Sequence, residues 1–417
     1  MYEITLGIDF GTSNSAAAVL VNGAPYRLLV EGGEDTLPTA VFFDNRGGMK
    51  IGRAAQAALI AGDEGRYMRA LKSVLGTPLL RETRLIAGKR RTLLDIITLF
   101  LERLRKAAED QFGQPVTRAL SGRPVHFHSR DAAMDAQAEI DLRDAYLAAG
   151  FTHVAFLPEP EAAALAAHGL SEAGQIGLIV DIGGGTSDFS LFRSTQGRAD
   201  ILSSHGIRLG GTNFDHAVSL RHAMPLLGYG GQVRREMGKG LLPIPNTLFN
   251  DLATWEKIPF LYTRETMRLV EDLESLAVEP EKLGRLVEVI EAELGHEIAF
   301  AVERGKIAVN KAGQGKIDLS VVEKRLAADV DRAGLEGALA AHRADLVEAV
   351  RETLTRASLA PEAVGSVVFV GGSSLMSVVP EAVRAVLPDA QHEFSEVMTA
   401  VVDGLALATA QSATQHA

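Results

Sequence analysis

The chain has 417 residues, 47% hydrophobic and 23% charged, with a formal net charge of −11 and no cysteine. That length predicts two domains or lobes, the acidic balance disfavours a nucleic-acid groove or an anionic membrane surface, and the missing cysteines exclude disulfides, thiolate zinc sites and a cysteine nucleophile. With no basic leader, no long apolar h-region and no apolar run of about 18 residues, a soluble cytoplasmic protein is expected.

The chain opens on an apolar strand at 4–8. Asp9 follows, then Phe10, Gly11, Thr12, Ser13, Asn14, Ser15 and a second apolar run at 16–21. This reads as a hairpin whose turn is suited to phosphate. Asn22-Gly23 is a further turn. Strands are predicted at 26–30 and 40–43, with residues 44–48 turning into a strand at 49–51. An alanine-rich helix is predicted at 52–61. By composition, Lys72 reads as a surface lysine.

Residues 92–110 carry apolar side chains at Leu93, Ile96, Ile97, Phe100, Leu101 and Leu104, the spacing of one helix face. Residues 119–125 read as a strand ending near Pro124. His126 and His128, read on one strand face, have the spacing of a metal pair but no third ligand in register. A helix at 131–149 stops at Gly150, and a strand is predicted at 154–157. Glu159-Pro160-Glu161 then opens an alanine-rich helix, with Pro160 at its first position. Glu159 thereby falls at the end of a strand, either bordering a ligand crevice or simply stabilising a helix start.

The strand–Asp–turn–strand order recurs at 176–192, with Asp181, Gly183, Gly184, Gly185, Thr186, Ser187 and Asp188. Three glycines permit positive φ and close approach to a ligand. The two aspartates offer carboxylates to a hard cation or its waters. Two such hairpins predict a duplicated architecture around one nucleotide.

A strand at 201–204 leads to another glycine turn, Gly210-Gly211, with Thr212 or Asn213 as cap of the next helix. Residues 225–345 read as a charged helical insert, with helices at 263–279, 280–294 and 296–310. Trp255 is expected to be a packing anchor. A strand at 367–370 runs into Gly371, Gly372, Ser373 and Ser374, a third nucleotide-contact geometry, and a helix starts near 379. A helix at 396–410, with Gly404 inside it, closes the chain.

Together these motifs resemble the nucleotide-binding domain of the 70-kilodalton heat-shock chaperones of the DnaK type. The resemblance covers nearly the whole chain in order. It implies an actin-like α/β ATPase fold: two duplicated lobes around a nucleotide cleft, with a helical insert in the second. Lobe I would span 1–172 with 395–417, and lobe II 173–394. Catalytic roles are implied for Lys72, Glu159, Asp181 and Thr186. The phosphates would meet Gly11, Thr12, Ser13, Asn14, Gly183, Gly184, Gly185, Thr186, Gly210 and Gly211. Adenosine would meet Glu303, Lys306, Asn310, Gly371, Gly372 and Ser373. Asp9 and Asp181 would hold magnesium through water, and Asp188 a monovalent cation such as potassium. Pro124 matches the family's hinge proline.

Residues 249–255 and the chain length resemble the YegD-type subgroup, which lacks a peptide clamp. Leu375 stands where the family keeps an adenine-packing arginine, and Asn310 replaces a serine. No peptide-binding domain follows residue 417, so direct clamping of unfolded peptides is not expected. The function implied is a slow ATPase: a nucleotide-driven switch, chaperone or chaperone-related, acting on an unnamed protein partner, with no nucleic acid or membrane. Alternatives are a sugar or small-molecule kinase of the same superfamily, or a nucleotide-gated scaffold or filament.

Overall fold

The computed structural model describes residues 4–166, 174–195, 198–394 and 399–414. The chain forms two compact units: Met1–Gly211 with Ala344–Ala417, and Thr212–Arg343. The lobe limits expected at 172/173 and 395 lie outside the described residues.

The first unit is built on two sheets. One contains β1 (Thr5–Phe10), β2 (Asn14–Val21), β3 (Ala24–Arg27), β4 (Arg118–Arg123) and β5 (His153–Pro158), in the order β3-β2-β1-β4-β5, with Leu37–Pro38 pairing on β2. The other contains β6 (Ile176–Ile182), β7 (Ser187–Thr195), β8 (Arg198–Ile207), β9 (Val364–Val370) and β10 (Gln391–Phe394), in the order β8-β7-β6-β9-β10. The strand directions agree as well as the order. In each sheet the first three strands are antiparallel neighbours and the last two run parallel to the strand beside them. The expected duplication is therefore present strand for strand.

Each sheet's last strand feeds a helix. β5 runs directly into α1 (Glu159–Ala166), and α2 (Ala400–Thr414) follows β10. Their small residues make one core. Ala162, Ala163 and Ala164 pack with Val401, Leu405 and Ala408, and with Leu120 of β4 and Ile179, Val368 and Val370 of the second sheet. At Gly404 the helices meet backbone to backbone: a Cβ there would overlap the carbonyl of Ala162.

Local signals account for the other helices. Leu93–Phe112 starts on a reciprocal capping box, in which Asp95 N donates to Thr92 Oγ1 at 3.1 Å and Thr92 N donates to Asp95 Oδ2 at 2.7 Å, satisfying two otherwise orphaned amides. Its six predicted apolar residues are all buried. Asp131 caps Ala132–Ala148. The closing helix begins at Ala400; residues 396–398 of the predicted tail helix are not described.

The second unit contains helices Thr247–Leu252, Arg264–Leu276, Pro280–Glu291 and Gly295–Ala312. It also holds two hairpins that periodicity did not predict, Gln232–Arg234 with Leu241–Pro243 and Gln314–Asp318 with Ala327–Asp331. Trp255 is buried, as its anchor role required, with its ring edge-on to Phe300 at 5.0 Å. Its indole N–H also donates to Asp215 at 3.2 Å. Among the described residues no helix is long and apolar enough to cross a membrane.

Candidate functional site

The two predicted turns have identical loop length. Phe10 pairs with Ser15 across the first, and Ile182 with Ser187 across the second, leaving four residues in each. Within the first unit the glycine backbone of the second loop lies against the hydroxyl side chains of the first. A Cβ on Gly184 would overlap the Ser13 hydroxyl, and one on Gly185 would lie 2.9 Å from Thr12 Oγ1.

The expected conformational reason for the triple glycine does not hold. None of Gly183, Gly184 and Gly185 has φ in the left-handed region. Space, not dihedral freedom, requires the missing side chains of Gly184 and Gly185, whereas a Cβ on Gly183 would meet only Thr186 O at 4.0 Å. Two further glycine segments join them. Gly211 N donates to Gly183 O at 3.0 Å, and a Cβ on Gly210 would meet the Gly184–Gly185 peptide at 2.5 Å. Gly371, at φ +78°, would bring a Cβ to 2.6 Å from Asp181 Oδ1. Ser373 lies against Gly211, Gly372 is exposed, and Leu375 is exposed beside them. Thr212 and Asn213 do not cap the helix after this turn, because the helix already begins at Gly211.

Beside the turns lies a buried ionic cluster. Lys72, read by composition as a surface residue, is 7% exposed and pairs with Glu159, 8% exposed, through Nζ–Oε1 at 2.6 Å. Glu159 is the first residue of α1, one position earlier than Pro160 implied. Its charge acts on Asp9, Asp181 and Asp188. Burial, then repulsion from Glu159, raises Asp9 to about 7 against the pull of Lys72. The same two causes raise Asp188 to about 8, although Val125 N donates to it at 2.8 Å and Thr186 also bonds it. Burial and all three neighbouring carboxylates push Asp181 well above the ordinary range. Burial lowers the Lys72 pKa, but Glu159 and Asp9 outweigh it and the net shift is upward.

Four carboxylates around one lysine are an excess of buried negative charge. A hard cation fits that imbalance and would relieve the repulsion. Among the described residues no three carboxylates or histidines converge tightly enough to ligate an ion directly, so the donor set suits an ion that keeps its waters.

The shifts set a pH dependence. The folded Asp9 and Asp188 bind protons up to about 7 and about 8, whereas an ordinary aspartate releases them near 3.8. Between those limits the folded form holds more protons than the unfolded chain, so stability falls as pH rises. The metal-free protein is expected to melt several degrees lower at pH 8 than at pH 5, with Mg²⁺ raising the midpoint more at pH 8. A melting temperature that climbs across this window in calorimetry would contradict the crowded-carboxylate account.

Glu303, Lys306 and Asn310 lie on Gly295–Ala312 of the second unit, three and four residues apart and so on neighbouring turns of one helix. Lys306 is buried and pairs with Asp215 at 2.7 Å. His126 and His128 do not share a strand face, since β4 ends at Arg123. His126 Nδ1 pairs with Asp135 at 3.0 Å, and His128 Nε2 donates to Leu75 O at 2.7 Å. The reading from sequence missed the partners of Asp188 and of the Lys72 segment. They come from residues more than fifty positions away, with no local signal.

A family model described as Hsp70 protein matches residues 80–224. The chain is 33% identical over 236 residues to the chaperone protein HscA homolog of Herminiimonas arsenicoxydans, covering 52% of this chain and 37% of that protein. It is 34% identical over 220 residues to the chaperone protein DnaK of Thermoplasma acidophilum, covering 51% of this chain and 34% of that protein. The matches thus span little more than a third of these relatives' length. About half of this chain is similar to Hsp70-type chaperones, and its twice-repeated sheet is consistent with the actin-like ATPase fold.

Proposed function

We propose that this chain binds ATP, hydrolyses it slowly, and uses the nucleotide state as a conformational signal in a chaperone or chaperone-related role. The observation that carries this reading is the buried Lys72–Glu159 pair beside two facing glycine loops and three aspartates. The amides of Gly11–Asn14, Gly183–Thr186 and Gly210–Gly211 cradle the phosphates. Glu159 orients the attacking water. Lys72 and Thr186 stabilise charge on the transferring phosphoryl group. Asp9 and Asp181 hold magnesium through its waters, and Asp188 helps hold a monovalent cation such as potassium. Glu303, Lys306 and Asn310, with Gly371, Gly372 and Ser373, hold adenosine. Leu375 weakens selectivity for adenine, because it cannot stack as a guanidinium does.

The two-lobe division at 172/173 and 394/395, membership of the YegD-type subgroup, a cytoplasmic location and an unnamed protein partner complete the reading. Titration calorimetry with ATP and ADP tests it directly. Uptake of both is expected with Mg²⁺, and at least tenfold weaker uptake with the metal chelated. No uptake of either nucleotide with metal present would end the proposal.

A further inference from the structure

Lys72 sits on an unusual piece of backbone. Ala70 is left-handed at φ 60°, a single 3₁₀ turn covers Leu71–Val74, and Gly76 is left-handed again at φ 75°. Such a segment has few internal hydrogen bonds. Ser73 N to Ala70 O and Leu75 N to Lys72 O, at 3.0 and 3.3 Å, leave the carbonyls of Ser73 and Leu75 to be satisfied from outside. Both are taken by one relay. Arg208 Nη2 donates to Ser73 O at 2.8 Å, and its Nη1 donates to His128 Nδ1 at 2.9 Å. His128 Nε2 donates in turn to Leu75 O at 2.7 Å. A carbonyl only accepts, so Nε2 carries the imidazole proton and Nδ1 is left bare to receive the guanidinium. On the far side Gly76 N donates to Asp141 Oδ2 at 2.9 Å, and Asp141 is buried.

Arg208 stands immediately after β8 and two residues before Gly210, whose backbone touches the Gly184–Gly185 peptide. The relay thus ties the lysine's segment to a turn that abuts the phosphate loop. We propose that Arg208 and His128 are positioning residues for phosphoryl transfer: a hydrogen-bonded clasp grips the carbonyls of Ser73 and Leu75 and so aims the Lys72 ammonium at the reacting group. The proposal rests on the ATPase reading above. Arg208 suits the role because its rigid planar fork reaches the two acceptors from two separate nitrogens, Nη1 and Nη2, whereas a lysine would have to serve both from one nitrogen. It is an exposed side chain, so its removal leaves the core untouched.

The test uses the full chain and three variants, Arg208→Met, Arg208→Lys and Lys72→Ala. Arg208→Met is expected to lower kcat about ten- to a hundredfold, the scale of a misplaced catalytic group. ADP affinity should stay within about threefold, because the phosphate amides are intact. Arg208→Lys should fall between Met and wild type. In a Lys72→Ala background, single-turnover hydrolysis should not slow further when Arg208→Met is added, because the arginine acts through the lysine. Equal slowing in both backgrounds, or an unchanged kcat, overturns the proposal.

Amide hydrogen exchange supplies an arm that needs no turnover. Exchange across residues 71–76 should accelerate at least tenfold in Arg208→Met, with the melting temperature held. Unchanged exchange overturns the clasp itself. Faster exchange in a protein whose wild type shows no hydrolysis overturns the ATPase reading, and with it the positioning role, while the clasp stands.

Discussion

A Lys72→Ala variant is expected to lose turnover by about a hundred- to a thousandfold, the scale of deleting one preorganised electrostatic donor. Its ADP affinity should change by less than about threefold, because the backbone amides that hold phosphate remain. A second effect follows from the pair. Lys72 is the cation against which Glu159 is buried, and breaking a buried pair destabilises by about 3–5 kcal/mol. Three aspartates raised by the same glutamate make the loss worse. Glu159→Gln separates the two effects. It keeps an oxygen for the lysine to bond and removes one negative charge from the crowd. This variant should retain or gain thermal stability while losing the oriented water and most of its turnover. Single-turnover hydrolysis, ADP titration and melting curves read the three quantities. Equal rates in wild type and Lys72→Ala would remove the lysine from the chemistry.

Gly404→Ala should destabilise the protein by about 3 kcal/mol, the upper end for overpacking. Helix propensity alone gives the opposite sign, since alanine is favoured over a mid-helix glycine by about 1 kcal/mol. The reversal comes from what the new methyl would strike. At Gly404 it meets the carbonyl of Ala162, which is backbone and cannot swing aside. α1 and α2 would have to separate, and α1 carries Glu159 at its first position. Lost stability and lost turnover should therefore appear together. Gly284→Ala is the matching control. Its nearest obstacle is the tip of the Glu274 side chain at 2.9 Å, which can move, so the effect there should be neutral or mildly stabilising. A Gly404→Ala protein that melts at or above wild type would refute the close crossing.

Much of this was legible in the residues. The matched Asp–turn–strand order at Asp9 and Asp181 identified both hairpins because turn chemistry and strand alternation are local. The failures have a common cause in distance. Lys72 seemed a surface residue because its partner lies 87 positions away. His126 and His128 were put on a strand because pairing ends two residues before Val125, which depends on neighbours the local pattern does not contain. The glycines at 183–185 read as a source of positive φ and of the room a missing Cβ leaves; the first does not hold, and the room is used at Gly184 and Gly185 by Ser13 and Thr12. Composition shows that a side chain is missing but not which neighbour needs the room. The hairpin Gln314–Asp318 with Ala327–Asp331 was hidden in charged sequence where no strict alternation shows.

The two hairpins share fold and loop length, yet their tips are opposites. One carries hydroxyls at Thr12 and Ser13, and the other is bare at Gly183, Gly184 and Gly185. At the position where the second has Asp188 facing Asp181, the first has Ala16 facing Asp9. Two faithful copies would collide, hydroxyl on hydroxyl, where the bare backbone of Gly184 and Gly185 now leaves room for Ser13 and Thr12. Symmetry built the frame, and only its breaking lets the frame shut.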